Sequence, residues 1–180
     1  MEARMPHAGQ EIENPRTGQR MVFLVTGAET GGELLRIECF NPPTGTDEPT
    51  HVHPQQESRA EVLSGVLRFR VDGETRDVGP GEVQTIAAGV PHGFGNHGTE
   101  PAHWIQEFRP SLRSAEFFES LFALGARGEL DDHGMPGLLQ LSVSVPAYAD
   151  EIRVTRPPWL VQRALFALLA PVARRRGLRA

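Results

Sequence analysis

Residues 51–65 read HVHPQQESRAEVLSG, and this stretch begins like a metal-binding segment. His51 and His53 are two residues apart, and on a β-strand such residues project from the same face of the sheet. Both imidazoles would therefore point inward if the strand belongs to a barrel. The polar residues that follow are candidates for a further ligand, and they are Glu57, Ser58 and Glu61.

The chain on both sides of this stretch is a series of short apolar runs. Residues 21–108 contain MVFLVTG, ELLRIECF, AEVLSG, VLRFRVDG, EVQTIAAG and HWIQEF, which are separated by turn residues. Leu67, Phe69 and Val71 alternate with arginines, as in a half-buried strand, and Asp72-Gly73 is a hairpin signal. Many short strands at close spacing predict a β-sandwich or barrel.

A third histidine, His92, follows the turn residues Gly89 and Pro91 and begins another of these runs. Imidazole is a good ligand for Fe, Mn, Ni, Cu and Zn. Three imidazoles that converge from two strands would leave coordination positions open for substrate, oxygen or water.

The spacing of these residues resembles the two motifs of the cupin superfamily. The first motif, G(X)5HXH(X)3-4E(X)6G, is matched by Gly45, His51, His53 and Gly65. The second motif, G(X)5PXG(X)2H(X)3N, is matched by Gly81, Gly89, His92 and Asn96, with Ala87 at the proline position. The resemblance implies a mainly β protein with a double-stranded β-helix, or jelly-roll, barrel. It also implies that His51, His53 and His92 are metal ligands.

The departure from this resemblance lies at the glutamate of the first motif. Ser58 occupies the expected position, and a neutral hydroxyl is a poor ligand for a divalent metal. Glu57 fits the shorter spacing from His53 and would need a bulge to turn inward. Glu61 lies four residues after Glu57, so on a regular strand both side chains share one face, which is predicted to point outward. Because some cupins are described as holding iron with three histidines alone, we expect a neutral three-histidine site, with Glu57 as a conditional fourth ligand.

This resemblance implies a small-molecule dioxygenase that uses Fe(II), with Mn, Ni or Zn as alternatives. A redox-neutral isomerase, cyclase or decarboxylase that uses the metal as a Lewis acid is a second interpretation. A non-enzymatic cupin that binds a small ligand is a third. No separate organic cofactor is expected.

The run AHWIQEF offers two sets of candidate pocket residues. His103, Ile105 and Glu107 share one strand face, and Trp104, Gln106 and Phe108 share the other. If the first set lines the barrel, Glu107 could act as a base or distant ligand, and if the second does, Gln106 could orient substrate. His7, His97 and His133 are predicted surface residues, and Tyr148 is predicted to pack.

The sequence after Pro110 changes in character, and we divide the chain into an arm at 1–20, a barrel at 21–110 and a largely helical extension at 111–180. SLRSAEFFESLFALGARG predicts a helix. In GLLQLSVSVPAYADEI, residues 137–152, the alternation Leu139, Leu141, Val143, Val145 favours extension, while a helix stays open. The final RPPWLVQRALFALLAPVARRRGLRA predicts an amphipathic helix, interrupted or ended near Pro171, with its apolar side at Leu160, Ala164, Leu165, Leu168, Leu169 and Val172.

The apolar side of this last helix has two interpretations. It either packs on the barrel or a partner subunit, most simply in a homodimer, or lies on an anionic membrane. The first is preferred here. The arginines that follow also complement the dipole of the helix C-terminus.

Composition narrows the function classes. All 18 basic residues are arginines, which excludes lysine Schiff bases and lysine-dependent phosphate loops. Residues 1–150 carry 11 arginines against 22 acids, so a nucleic-acid partner is not expected, whereas residues 151–180 carry 7 against 1. The single Cys39 and a polar first stretch without an apolar segment predict a cytoplasmic protein.

Overall fold

A computed structural model describes residues 5–131 and 134–180, so the prediction for His133 lies outside the described residues. In chain order the elements are β1 Glu11–Asn14, β2 Gln19–Val25, α1 Gly27–Thr30, β3 Leu35–Asn41, β4 His51–Val52, β5 Glu57–Ser64, β6 Leu67–Val71, β7 Glu74–Val78, β8 Val83–Ile86, β9 His92–Gly95, β10 Ala102–Arg109, α2 Ser114–Ala126, α3 Leu138–Ala147, β11 Arg153–Val154 and α4 Trp159–Arg175.

The strands form two antiparallel sheets that correspond to the layers of a jelly roll. The larger sheet has the order β1-β2-β3-β10-β5-β8, and the smaller has the order β11-β4-β9-β6-β7. Neighbours in the sheets are distant in sequence, because β10 lies between β3 and β5. The prediction of a mainly β jelly-roll fold with a helical C-terminal extension is confirmed.

The core lies between the sheets and follows from strand alternation. Leu35, Ile37 and Cys39 of β3 are fully buried, and Trp104 and Phe108 of β10 lie beside them on the same face. Burial of large apolar side chains supplies most of the stabilisation, at about 25 cal/mol per Å² of apolar surface removed from water. The indole N–H of Trp104 donates to Asn41 Oδ1 over 2.9 Å, so the largest core residue leaves no polar group unpaired.

The Asp-Gly signal marks the turn between β6 and β7, as predicted. Asp72 and Gly73 have φ values of 49° and 89°, and Val71 pairs with Glu74 across them. Two consecutive residues with positive φ make the two-residue turn whose twist matches that of a β-hairpin.

The sheet begins earlier than the predicted arm allows. Residues 11–14 pair with residues 19–22, so β1 and the first part of β2 belong to the larger sheet. The segment lacks an apolar run because β1 is an edge strand with one exposed face. Ile12 packs against the core and Asn14 is buried, while Glu11 and Glu13 face outward.

Residues 138–147 are helical, so the preference for extension in this segment is wrong. Leu139 and Val143 are four residues apart and pack together with Ala170 and Ala173 of α4. Spacing by four satisfies a helix as well as a strand, and packing against α4 decides between them.

The last helix also departs from expectation. It continues through Pro171 to Arg175, and Ala173 beyond the proline is fully buried against the cluster with α3, which offsets the lost helical hydrogen bond. Its buried residues are Gln162, Phe166, Ala170 and Ala173. The predicted apolar side, which includes Leu160 and Leu168, is exposed in the single chain and does not pack on the barrel, so its packing on a partner subunit stays a prediction. Within the described ranges, no helix has the length and apolarity needed to cross a membrane.

Candidate metal centre

Three histidines meet between the two sheets. His51 of β4 pairs directly with His92 of β9. His53 comes directly after β4 and, being two residues from His51, projects from the same face. One ring nitrogen from each lies within 4.8 Å of the others, and the side chains are 5%, 7% and 4% exposed for His51, His53 and His92. The structure therefore brings together the three predicted ligands.

Main-chain carbonyls fix which nitrogen of each ring faces the centre. The Nδ1 atom of His51 lies 2.9 Å from Pro49 O, that of His53 2.7 Å from Glu151 O and that of His92 2.8 Å from Val90 O. A carbonyl oxygen only accepts, so each Nδ1 carries a hydrogen and each Nε2 keeps its lone pair. Such a carbonyl partner is what orients metal-binding imidazoles and raises their basicity.

The histidines are held in the neutral form that binds metal. Burial, then the neighbouring His92, lowers the pKa of His51 to about 4. Burial, then His51, lowers the pKa of His53 to about 3, and burial lowers the pKa of His92. Because coordination requires an unprotonated nitrogen, the site needs to lose no proton at neutral pH in order to accept an ion.

The pKa values predict a pH-dependent stability for the metal-free protein. An unfolded chain protonates His51 and His53 near pH 6.5, whereas the folded chain resists protonation until about pH 4 and 3. At these two positions the unfolded state therefore binds more protons as the pH falls below 6.5, and the contribution of the two histidines to stability decreases by roughly 2 kcal/mol per pH unit toward pH 4. Thermal unfolding of the metal-free protein from pH 7.5 to 4.5 measures this slope.

The matched control for this experiment is the exposed His7. His53→Gln should flatten the dependence of Tm on pH, while His7→Gln should leave it unchanged. Equal slopes in the two variants would contradict neutral burial of His53.

Among the residues that the structure describes, no carboxylate joins the three histidines. Within the described residues the cluster of candidate ligands consists of His51, His53 and His92 alone. Glu57 is exposed, and the register around it is regular, with Ser58 opposite Ile86, so the bulge that Glu57 requires is missing. Glu61 also faces outward and bonds Arg59 at 2.9 Å.

Ser58 faces inward beside the centre. It is 6% exposed and pairs in register with Phe108, whose ring lies 4.9 Å from that of His53, centroid to centroid. Its hydroxyl accepts a hydrogen bond from Gln106 Nε2 at 2.9 Å. A neutral hydroxyl and amide thus occupy the region where the motif has a carboxylate.

The structure distinguishes the two candidate faces of β10. Trp104, Gln106 and Phe108 face the interior, so Gln106 is the candidate that lies on the same side as the histidines. Glu107 faces the other way, and its carboxylate lies 3.6 Å from Arg36 and 3.4 Å from Arg109. Glu107 therefore does not line the barrel interior, which was the condition for a role as base or distant ligand.

His97 and His103 lie apart from the centre. His97 Nε2 is 2.6 Å from Asp47, and His103 Nε2 is 2.7 Å from Glu38 while its ring stacks on Phe40. Tyr148 is buried, as predicted, and its hydroxyl lies 3.0 Å from Ser120 of α2.

The C-terminal extension supports the metal centre, which the sequence did not indicate. Strand β11 pairs with β4, so Val154 lies opposite His51, and Glu151 just before it offers its carbonyl to His53. The Glu151 carboxylate is itself buried and accepts a hydrogen bond from Arg113 N at 3.1 Å. A main-chain carbonyl leaves no signature in side-chain patterns, so this contact between residues 98 positions apart could not be predicted.

Loss of the Glu151 carboxylate should loosen this support. Glu151→Ala removes the acceptor for Arg113 N, so the carbonyl is no longer held against His53, and we expect metal affinity to fall about tenfold, the lower end for such outer contacts. Glu151→Gln retains an acceptor and should bind metal as the wild type does. Isothermal titration with Zn(II) or anaerobic Fe(II) measures the change.

The neighbouring Asp150, whose side chain is 65% exposed, provides the control. Asp150→Ala should leave the affinity unchanged. If Glu151→Ala binds metal as tightly as Asp150→Ala does, the contact to His53 has no role in the site.

Comparison with known proteins agrees with this fold and site. Residues 39–106 match the family model described as "Cupin domain", a range that includes all three histidines. Residues 39–106 therefore form a cupin domain. No curated protein matches the sequence significantly.

Among solved structures, a predicted oxalate decarboxylase from Thermotoga maritima is 20% identical, with a TM-score of 0.50, and the match covers 57% of this chain and 92% of that one. An RmlC-like cupin from Shewanella frigidimarina is 20% identical, with a TM-score of 0.49 and coverage of 57% and 86%. The first similarity supports the fold alone.

Proposed function

We propose that this cupin is a metal-dependent dioxygenase of small molecules, with Fe(II) held by His51, His53 and His92. The observation that carries the proposal is the set of three carbonyl-bound Nδ1 atoms, which leaves three Nε2 lone pairs directed to one centre without a carboxylate. When bound, Fe(II) supplies both a Lewis acid for a chelating substrate and electrons for the reduction of dioxygen.

The neutral ligand set favours a particular class of substrate. Three uncharged imidazoles leave the full charge of the ion uncompensated, so an anionic chelating group such as an enolate or thiolate is favoured. The Ser58 hydroxyl accepts from Gln106 and therefore keeps its own hydrogen to donate. Ser58 would thus orient a substrate oxygen beside the histidines.

The orientation of Glu107 favours oxidation over redox-neutral chemistry. An isomerase, cyclase or decarboxylase needs a group that moves a proton at the substrate. The carboxylate of Glu107 faces away from the histidines and forms ion pairs with Arg36 and Arg109, and Ser58 and Gln106 are neutral. Dioxygenation of a substrate that binds as an anion requires no such acid or base from the protein.

Oxygen uptake tests the proposal. Protein reconstituted anaerobically with Fe(II), Mn(II), Ni(II) or Zn(II) is mixed with diketone enols, thiols and flavonols while dissolved oxygen is recorded. We expect oxygen consumption in proportion to substrate loss with a redox-active metal, none with Zn(II) and none in His92→Ala. Substrate conversion without oxygen uptake would identify the redox-neutral enzyme, and metal binding without any conversion a ligand-binding cupin.

A further inference from the structure

Helix α4 presents two apolar faces, and only one of them is covered. The residues Gln162, Phe166, Ala170 and Ala173 are buried, and the last two pack against α3. The uncovered face consists of large apolar side chains, with exposed fractions of 74% for Leu160, 53% for Val161, 38% for Leu165, 77% for Leu168 and 43% for Val172. Five neighbouring exposed apolar side chains form a patch of the kind that marks an interaction surface.

The exposed residues form one continuous stripe. Val161, Leu165, Leu168 and Val172 are separated by four, three and four positions, which places them on one side of a helix. Leu160 extends the stripe at its N-terminal end. This regular spacing indicates a surface that meets one flat or helical partner along the length of α4.

The charge around the stripe is of one sign. Residues 156–180 contain six arginines and no acidic residue, and these arginines are exposed: Arg156, Arg163, Arg174, Arg175, Arg176 and Arg179. Arg175 follows Leu168 by seven residues, or about two turns, and therefore lies on the side of the stripe, whereas Arg163 and Arg174 lie on the opposite side of the helix. Residues 1–150 are acidic by contrast, so positive charge is concentrated at this end of the chain.

We propose that α4 docks in the plane of a bilayer that contains anionic phospholipid, with its leucine stripe in the interface and its arginines on the headgroups. An apolar face flanked by arginine is the pattern of helices that lie on anionic membranes. The competing partner is a second copy of the chain. A two-fold contact of α4 with α4 would bring together two segments that each carry six arginines and no acid, and this repulsion opposes that contact.

Vesicle flotation tests the proposal with the full-length, metal-loaded protein. We expect the protein to float with phosphatidylcholine vesicles that contain 30% phosphatidylserine, about a hundredfold or more above its binding to pure phosphatidylcholine, and to be released in 0.5 M NaCl. Arg174→Gln, Arg175→Gln and Arg176→Gln together should weaken binding on the order of a hundredfold. Leu160→Ser with Leu168→Ser should weaken it at least about tenfold.

Matched controls come from the body of the protein. Leu63 and Val66 are also exposed, at 41% and 39%, and Leu63→Ser with Val66→Ser should bind vesicles as the wild type does. Arg68→Gln, Arg76→Gln and Arg127→Gln remove the same charge elsewhere and should have at most a small effect. Circular dichroism and metal content should be unchanged in every variant.

Several results would overturn the proposal. Equal binding to neutral and anionic vesicles, or control variants that lose as much binding as the α4 variants, would exclude docking by α4. If wild type does not bind vesicles and sediments as a dimer that Leu160→Ser with Leu168→Ser dissociates, the stripe contacts a second copy instead. Because metal content and oxygen uptake are measured separately, either result leaves the proposed enzymatic function untouched.

Discussion

His92→Ala should reduce bound metal from about one equivalent per chain to less than a tenth. His92 comes from β9, while His51 and His53 come from β4 and the residue after it, so its loss leaves two imidazoles on one side of the centre. Two neutral ligands with no carboxylate hold divalent ions weakly at physiological concentrations. Metal analysis after reconstitution with Fe(II) or Zn(II) and removal of free ions measures the loss.

The acidic residues near the site provide the controls for this experiment. Glu57→Gln removes an exposed carboxylate, and Glu107→Gln removes one that faces Arg36 and Arg109. Both variants should bind metal as the wild type does. Loss of metal from Glu57→Gln would mean that the segment rearranges to supply a fourth ligand, which contradicts a three-histidine site.

Phe108→Ala should destabilise the fold and weaken the metal site together. Phe108 is 3% exposed, and its ring packs against that of His53 at 4.9 Å and that of Phe118 of α2 at 5.9 Å. Truncation of a buried phenylalanine costs about 3–5 kcal/mol of unfolding free energy. The cavity also frees the His53 ring to turn, so metal affinity should fall. Chemical denaturation and metal titration measure the two effects.

Phe118→Ala separates the two effects. Phe118 belongs to the same aromatic cluster and is only partly buried, and its ring contacts Phe108 and Phe117 rather than a histidine. It should lower stability to a smaller degree and leave metal affinity unchanged. If both variants lose affinity in proportion to stability, Phe108 acts on the fold alone.

Much of the site could be predicted because strand parity and motif spacing are local properties. The separation of His51 and His53 places both on one face, and the motif spacing pointed to His92 as their partner. The face of β10 could not be predicted in the same way. Both faces of this strand are buried, since Ile105 on the outer face is nearly as buried as Gln106 on the inner one. Each face carries both apolar and polar residues, so the sequence shows no alternation of polarity that would identify the inner face.

The C-terminal extension was harder to predict for a different reason. Leu139 and Val143 fit both a strand and a helix, and the contact with α4 decides between them. The position of Glu151 depends on the pairing of β11 with β4, a contact between segments about a hundred residues apart. Short strands of two residues carry too little pattern to be recognised in a sequence.

The proposed metal centre consists of three histidines without a carboxylate. X-ray absorption spectroscopy at the iron edge can establish this ligand set, because multiple scattering counts coordinated imidazoles. We predict three imidazoles on Fe(II) in the wild type and an unchanged spectrum in Glu57→Gln. A spectrum with two imidazoles, or one that loses a carboxylate ligand in Glu57→Gln, would contradict the three-histidine centre.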